Sequence, residues 1–191
     1  MPRKYGVRVN GFDCPPHPLQ LLAVFVFLLD FFTFYLVSMT SLSHHKAVVT
    51  VCSLIFAALS ITVIYYWVKA TGADPSDPTI RLQRICEMKY ERFPGEKYEF
   101  MCQICDSHVL EGSKHCGACN RCVNQFDHHC RWINNCVGGK NYHAFLKLIV
   151  MAFTMALCHN VTNTVMLYYF MTEDKTVGTT HIRLFGDLKH D

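Results

Sequence analysis

Phe126-Asp127-His128-His129-Cys130 lies inside a cysteine and histidine array that runs from Cys102 to Cys136. Seven of the chain's eleven cysteines fall in that array, in the order C-x2-C, nine residues, H-C-x2-C-x2-C, four residues, D-H-H-C-x5-C. Spacing of this regularity belongs to metal ligands, and zinc suits soft thiolates joined by some imidazole. The stretch also holds more chemistry than a metal needs, because an acid, an imidazole and a thiol follow one another closely. Consecutive residues cannot all point inward on a regular element, so the Asp-His-His-Cys run is expected to form a tight, zinc-braced turn.

Outward from the array the chain is apolar. Half of its 191 residues are hydrophobic, and they gather in a few long runs. Leu19–Met39 is interrupted by a single charge, Asp30; residues 47–68 carry none; residues 144–171 carry Lys147 near the start and His159, Asn160, Thr162, Asn163 and Thr164 near the middle. Each matches the roughly 20 residues that a spanning helix needs. A cleaved signal peptide is the competing reading of the first run, but the run exceeds an h-region and no small-residue cleavage site follows it. Ten lysines and arginines lie from Lys69 to His143 and only Lys46 in the connection 41–46. The positive-inside rule therefore puts the long loop in the cytosol, and Arg3, Lys4 and Arg8 put the N-terminus on the same side.

The expected organisation is a cytosolic N-terminus (1–18), spans at 19–39, 47–68 and 144–171, a lumenal loop at 40–46, a cytosolic loop at 69–143 with the cysteine-rich core at 100–143, and a tail at 172–191. Lys147 should snorkel to the interface. Pro75 and Pro78 mark the exit from the second span, and residues 79–100 form a charged linker with a short surface helix. No internal repeat is expected. A net charge of +3 is too small to argue for nucleic acid, and the basic loop suits lipid head groups or a phosphorylated ligand.

A cytosolic array favours thiolate ligands over disulfides. Cys102, Cys105, His108, His115, Cys116, Cys119, Cys122, His128, His129, Cys130, Cys136 and His143 are all candidates. Two sites of three Cys and one His would use eight of them, and spacing alone does not partition the set. A RING-type arrangement fits poorly, since its later C-x2-C pair is missing and the His115-Cys116 pair is out of place.

The pattern C-x2-C-x9-H-C-x2-C-x2-C-x4-D-H-H-C-x-W-I-x-N-C-V-G-x2-N, from Cys102 through Asn141 with Phe145 beyond it, resembles the cysteine-rich domain of the DHHC family of protein S-acyltransferases (palmitoyltransferases). The resemblance implies two interleaved zinc sites, Cys102, Cys105, His115 and Cys122 at one and Cys116, Cys119, His129 and Cys136 at the other. It implies Cys130 as the acylated nucleophile, His128 as its base and Asp127 as the residue that orients His128. Asp74-Pro75 resembles the family's Asp-Pro-Gly element, with Ser76 in place of glycine. The fold expected is an α-helical multi-pass membrane protein with a small zinc-stabilised β-hairpin and loop domain.

Departures from the family pattern are Leu110-Glu111-Gly112-Ser113-Lys114 where an Arg-Pro element is usual, and Ala144 where an aromatic is common. The family's four spans and Thr-Thr-x-Glu element also differ from this chain, in which three spans are expected and Thr179-Thr180 is followed by His181 and Ile182. A truncated four-span frame is therefore expected.

The chemistry agrees with the resemblance. A free thiol near pKa 8.5 is mostly protonated at neutral pH, and a neighbouring imidazole favours the thiolate that attacks an acyl thioester. A carboxylate on the other ring nitrogen fixes the tautomer. The expected activity is transfer of a long-chain acyl group from acyl-coenzyme A through Cys130 to cysteines of membrane-associated proteins. Arg131, Lys114, Lys140 and Trp132 are the candidate coenzyme A contacts. A zinc-stabilised membrane adaptor without activity is the alternative class. The expected setting is the endomembrane system, endoplasmic reticulum or Golgi.

Within the spans, Asp30 lies at the depth of His159, Asn160 and Asn163, and a costly mid-span carboxylate predicts a polar contact among them. The Asn160-Val161-Thr162 sequon is expected to be buried in the bilayer and unused. Cys14, Cys52, Cys86 and Cys158 are expected to be packing residues, with Cys14 and Cys86 open to acylation.

Overall fold

The computed structural model describes residues 7–42 and 45–187, with side chains described as far as Thr172. Arg3, Lys4 and the side chains of Thr179, Thr180 and His181, on which topology and truncation expectations rest, lie outside the described residues. Three helices are long and apolar enough to cross a membrane: α1 (Pro18–Ser41), α2 (Lys46–Gly72) and α4, whose qualifying part is Tyr142–Thr172 and whose backbone continues to Asp187. The expected linker helix is α3, Pro78–Lys89. Asp77 caps it by accepting from the Thr79 N–H at 2.7 Å, and Pro78 sits where the missing N–H costs nothing. Tyr90 ends it in the left-handed conformation.

The cysteine-rich region consists of three two-stranded antiparallel hairpins: β1 (Phe100–Cys102) with β2 (Ser107–Val109), β3 (Lys114–Cys116) with β4 (Arg121–Val123), and β5 (His128–Cys130) with β6 (Asn135–Val137). They repeat every fourteen residues, which corrects the expectation of no internal repeat. Cys102, Cys116 and Cys130 each end a first strand. Asp106, Asn120 and Asn134 each turn the chain at φ 49°, 50° and 51°, a conformation that short Asp and Asn side chains tolerate better than most. Val109, Val123 and Val137 each end a second strand, buried. The repeat escapes inspection because only the cysteines, the turn residue and the valine are shared. The Asp-His-His-Cys run is likewise not a turn: Asp127 precedes β5, and the other three residues are β5.

The chain forms two compact units. One comprises Met1–Phe27 and Ile61–Met151, the other Leu28–Ser60 and Ala152–Asp191. In the first, the hairpins are fastened to the end of α2. The last carbonyls of a helix have no intrahelical donors, and here two buried amides supply them. The Asn135 side chain donates to the Ala70, Thr71 and Ala73 carbonyls at 3.3, 2.9 and 2.8 Å, and Asn141 donates to Ala70 at 3.0 Å. The Gly11 N–H donates to the Thr71 carbonyl at 2.8 Å. A Cβ at Gly11 would lie 2.1 Å from the Ile133 carbonyl oxygen, so only glycine lets the N-terminal segment run against the third hairpin. Lys147 is exposed with its ammonium 5.6 Å from the Tyr66 ring.

In the second unit, the expected mid-span contact is present. The Asp30 carboxylate meets His159 Nδ1 at 2.7 Å. Asn163 instead accepts from the Ser38 hydroxyl at 2.6 Å. Ser38 closes a π-helical turn, Phe34–Ser38, whose Phe34 stacks on Phe56 at 3.7 Å. The extra residue of a π turn rotates the following side chains relative to a regular α-helix. Asn160 does not join the cluster; it is exposed and donates to the Ala156 carbonyl of its own helix. His159 and Asn163 are four apart and share a face, whereas Asn160 follows His159 by one residue and is turned about 100° away from it, which depth alone does not distinguish.

Candidate active site and metal centres

Each of the first two hairpins supplies a Cys-x2-Cys pair, and the hairpin after it supplies the remaining two ligands of the same cluster. Cys102, Cys105, His115 and Cys122 bring one ligand atom each to within 4.8 Å of the others, and Cys116, Cys119, His129 and Cys136 do the same. The strand register explains the second half of each set: His115 is paired across the ladder with Cys122, and His129 with Cys136. His108, His128, Cys130 and His143 stand outside both clusters.

The donor sets fit zinc. Zn–S and Zn–N bonds of ordinary length give tetrahedral edges of about 3.5–3.8 Å. In the first cluster Cys105 Sγ is 3.3 Å from His115 Nδ1 and 3.5 Å from Cys122 Sγ. In the second, His129 Nδ1 lies 3.8, 3.3 and 3.6 Å from the sulfurs of Cys116, Cys119 and Cys136. Without an ion this proximity is felt as proton sharing. Cys119 and Cys136 hydrogen-bond the Cys116 sulfur and hold it well below the ordinary thiol range, while Cys136, beside that thiolate, is pushed far up. Cys116 and then Cys119 raise His129 to about 9. A bound divalent ion would replace these protons.

The third hairpin breaks the rule of the first two. Cys130 stands where Cys102 and Cys116 stand, but Ile133 occupies the place of Cys105 and Cys119, and α4 follows instead of another hairpin. The Cys130 thiol thus occupies a metal-ligand position with no metal cluster around it, and it is 6% exposed. Side chains alternate along a strand, so His128 and Cys130 project to one side of β5 and His129 to the other, toward its cluster. His128 Nδ1 is 3.0 Å from the Asp127 carboxylate, and its ring meets Phe145 edge-on with centroids 5.3 Å apart. The Asp127 N–H is held by the Val137 carbonyl at 3.0 Å.

The candidate coenzyme A contacts separate. Lys114 and Asp127 line one cavity of about 510 Å³ with Phe126, Tyr142 and His143. Lys140 lines another, while Arg131 and Trp132 are exposed on the turn between Cys130 and Ile133.

Sequence reasoning missed the residue that ties these parts together. Arg121 is 3% exposed, and its guanidinium donates to the Val9 carbonyl, Asp74 (2.9 Å), the Ser76 hydroxyl (3.1 Å) and Asn135 (2.8 Å). Asn135 is the cross-strand partner of Cys130. The Asp74-Pro75-Ser76-Asp77 loop runs beside β4, with Ser76 bridged to Val123 and the Asp77 N–H donating to the Cys122 carbonyl at 3.0 Å. The available signal was a charged residue between two ligand cysteines, Asn120-Arg121-Cys122, in a place where only small or apolar groups would otherwise be covered.

No curated protein matches the chain. The family model for the DHHC palmitoyltransferase matches residues 95–188, from just before the first hairpin to the end of α4. With the two Cys/His clusters, the free Cys130 and three membrane-length helices, the match identifies residues 95–188 as a DHHC palmitoyltransferase domain.

Proposed function

We propose that the chain is itself an active protein S-acyltransferase whose covalent intermediate forms on Cys130. The observation that carries this reading is the division of labour along β5. His129 is taken up by a metal cluster, while His128, backed by Asp127, shares a face with a cysteine that no metal claims. Zinc bound at the two clusters supplies structural bracing and fixes the register of β5.

In the first exchange His128 accepts the Cys130 proton and the thiolate attacks the carbonyl carbon of a long-chain acyl-coenzyme A, palmitoyl-coenzyme A in the case that the family name describes. The carbon–sulfur bond to coenzyme A breaks, and its sulfur leaves with the proton held by His128. In the second exchange His128 accepts the proton of a cysteine thiol on a membrane-associated protein, the resulting thiolate attacks the acyl-Cys130 thioester, and Cys130 leaves as the thiol with that proton returned by His128. One thioester replaces another in each step, so the catalyst has chiefly to position and deprotonate. Asp127 holds the His128 tautomer and stabilises the imidazolium.

Cys130 precedes α4 by a dozen residues, and Asn135 and Asn141 bind its hairpin to the end of α2. Both tethers support a thiol placed at the membrane face, where an acyl chain stays among apolar side chains and coenzyme A stays in water. Lys114, in the cavity with Asp127, is the first candidate for its phosphates, with Arg131 and Trp132 as further candidates. The excess of basic residues in 69–143 supports a cytosolic zinc domain, in an endoplasmic reticulum or Golgi membrane.

Purified chain incubated with labelled palmitoyl-coenzyme A tests the reading. Hydroxylamine-sensitive label on wild type and none on Cys130→Ser is the expected outcome; zinc-replete protein that never acquires label would instead make the chain an adaptor.

A further inference from the structure

The cavity that Lys140 lines is separate from the one beside Asp127, and its chemistry is unused by the acyl transfer. It encloses about 470 Å³ between the N-terminal segment, the Asp74–Asp77 loop, the start of α3 and the second hairpin. Four cations line it: Arg81, Arg84, Arg121 and Lys140. Arg81 and Arg84 are three apart on α3 and so share a face. They and Lys140 are exposed, and among the described residues none of the three makes an ion pair.

The two carboxylates in the lining are already committed. Asp74 holds Arg121 at 2.9 Å and the Ser76 N–H at 3.1 Å. Asp77 is 1% exposed and accepts from the N–H groups of Thr79 and Leu110 and from the Ser113 hydroxyl. The neighbouring Cys102, Cys105, His115 and Cys122 centre, once it holds zinc, carries one net negative charge, which still leaves the lining positive. A second observation points to a missing anion. Arg121 is 97% buried by its 3% exposure, yet its Nε has no acceptor among the described residues, and a guanidinium N–H left without an acceptor in the interior is costly.

We propose that this cavity binds the phosphomonoester groups of an anionic lipid head group, as in a phosphorylated phosphatidylinositol. Arginine forks match phosphate oxygens bidentately, and a doubly charged monoester offers each cation an acceptor of its own. The source of the phosphate is argued from position. Asp74 stands two residues beyond the end of α2, and Lys140 stands two residues before the start of α4, so the lining belongs to the mouths of two membrane-length helices. Head-group phosphates of the facing leaflet lie at that level and attract basic side chains there. Lys140, expected from sequence to meet coenzyme A, is here assigned to the lipid. The proposal rests on α2 and α4 being spans and is independent of any chemistry at Cys130.

The test uses the full chain in detergent micelles with dioctanoyl phosphatidylinositol 4,5-bisphosphate as the probe, and dioctanoyl phosphatidylglycerol, inositol 1,4,5-trisphosphate and palmitoyl-coenzyme A as comparators. Saturable binding of the bisphosphate lipid is expected, tighter than that of phosphatidylglycerol or the free head group. Arg81→Gln/Arg84→Gln should weaken it by roughly tenfold or more, at about fivefold for each cation removed near a membrane surface. Zinc content and acylation of Cys130 should be unchanged in that variant, and Cys130→Ser should bind the lipid as wild type does. Equal lipid binding by wild type and the double variant would overturn the proposal. So would loss of zinc, which would make the arginines structural partners of the thiolate cluster, or a selective loss of palmitoyl-coenzyme A affinity, which would return the cavity to the acyl donor. Binding of inositol trisphosphate as tight as that of the lipid would replace the head group by a soluble phosphate.

Discussion

His128 is held from two directions, by the Asp127 carboxylate at 3.0 Å and by the edge of Phe145 at a centroid distance of 5.3 Å. The first contact fixes which nitrogen carries the proton, and the second fixes the plane of the ring. On the proposed reading this imidazole is the base for Cys130, and removing it should cost the rate that positioned base catalysis supplies. His128→Ala is expected to slow formation of the acyl-enzyme by roughly 10² to 10⁴-fold, with zinc content intact because His128 lies outside both clusters. Asp127→Asn should slow it less, since the imidazole remains. The measurement is the single-turnover rate of hydroxylamine-sensitive label on Cys130. An unchanged rate in His128→Ala would remove it from the mechanism. Phe145 adds a second check: Phe145→Ala leaves the acid and base in place but frees the ring, so its effect should be smaller than that of His128→Ala.

On the proposed reading, the third copy of the hairpin is the element that turns a zinc fold into a catalyst. The first two copies place cysteines at both ends of the turn, and each needs a following hairpin to complete a tetrahedral site. The third keeps the first cysteine, replaces the second with Ile133 at 2% exposure, and is followed by a helix. Its geometry is then maintained by Asn135, whose amide accepts from Arg121 and donates to three carbonyls at the end of α2. Asn135→Ala strands those buried groups together, so a loss of about 2–4 kcal/mol is expected, from unsatisfied polar groups at about 1–3 kcal/mol each with partial relaxation. Thermal unfolding should fall accordingly. Among zinc-loaded molecules the acyl-enzyme should also form more slowly, because Asn135 is the ladder partner of Cys130; a drop in stability with an unaltered rate would separate the hairpin anchor from catalysis.

Much of this was legible in the sequence. The apolar runs gave the three long helices, and the C-x2-C spacing with the family pattern gave the ligands that the structure gathers. The repeat was obscured because its shared residues are only the turn and ligand positions, and the strand at His128–Cys130 because three residues carry no periodicity. Arg121, Asn135 and Asn141 act through long-range bonds, with sequence separations of up to 112 residues, which local patterns do not encode.

At the scale of the whole molecule, the hairpin strands are only three residues long and short hairpins are marginal alone, so zinc held by the two Cys/His clusters is expected to fix their register. Removal of zinc by a chelator should therefore abolish acylation of Cys130 while the long helices persist, seen as lost activity with far-ultraviolet helical signal retained. The proton balance of that step follows from the second cluster. In the metal-free fold Cys116 and Cys119 raise His129 to about 9, so the imidazole is charged at pH 7, and Cys136 remains a thiol well above it. A zinc ligand must be a neutral imidazole or a thiolate, so loading the cluster at pH 7 releases the His129 proton together with that of Cys136. The His129 contribution is present below about 9 and vanishes above it, where the imidazole is already neutral. Zinc affinity should accordingly fall as pH is lowered. Calorimetric titration of the chelator-stripped full chain in buffers of differing ionisation enthalpy counts the protons directly: the number released per second-cluster zinc should drop by about one between pH 7 and a pH above that value. A count that does not change across this interval would show that His129 is neutral before the metal arrives, and that the thiolates around it are not formed until zinc binds.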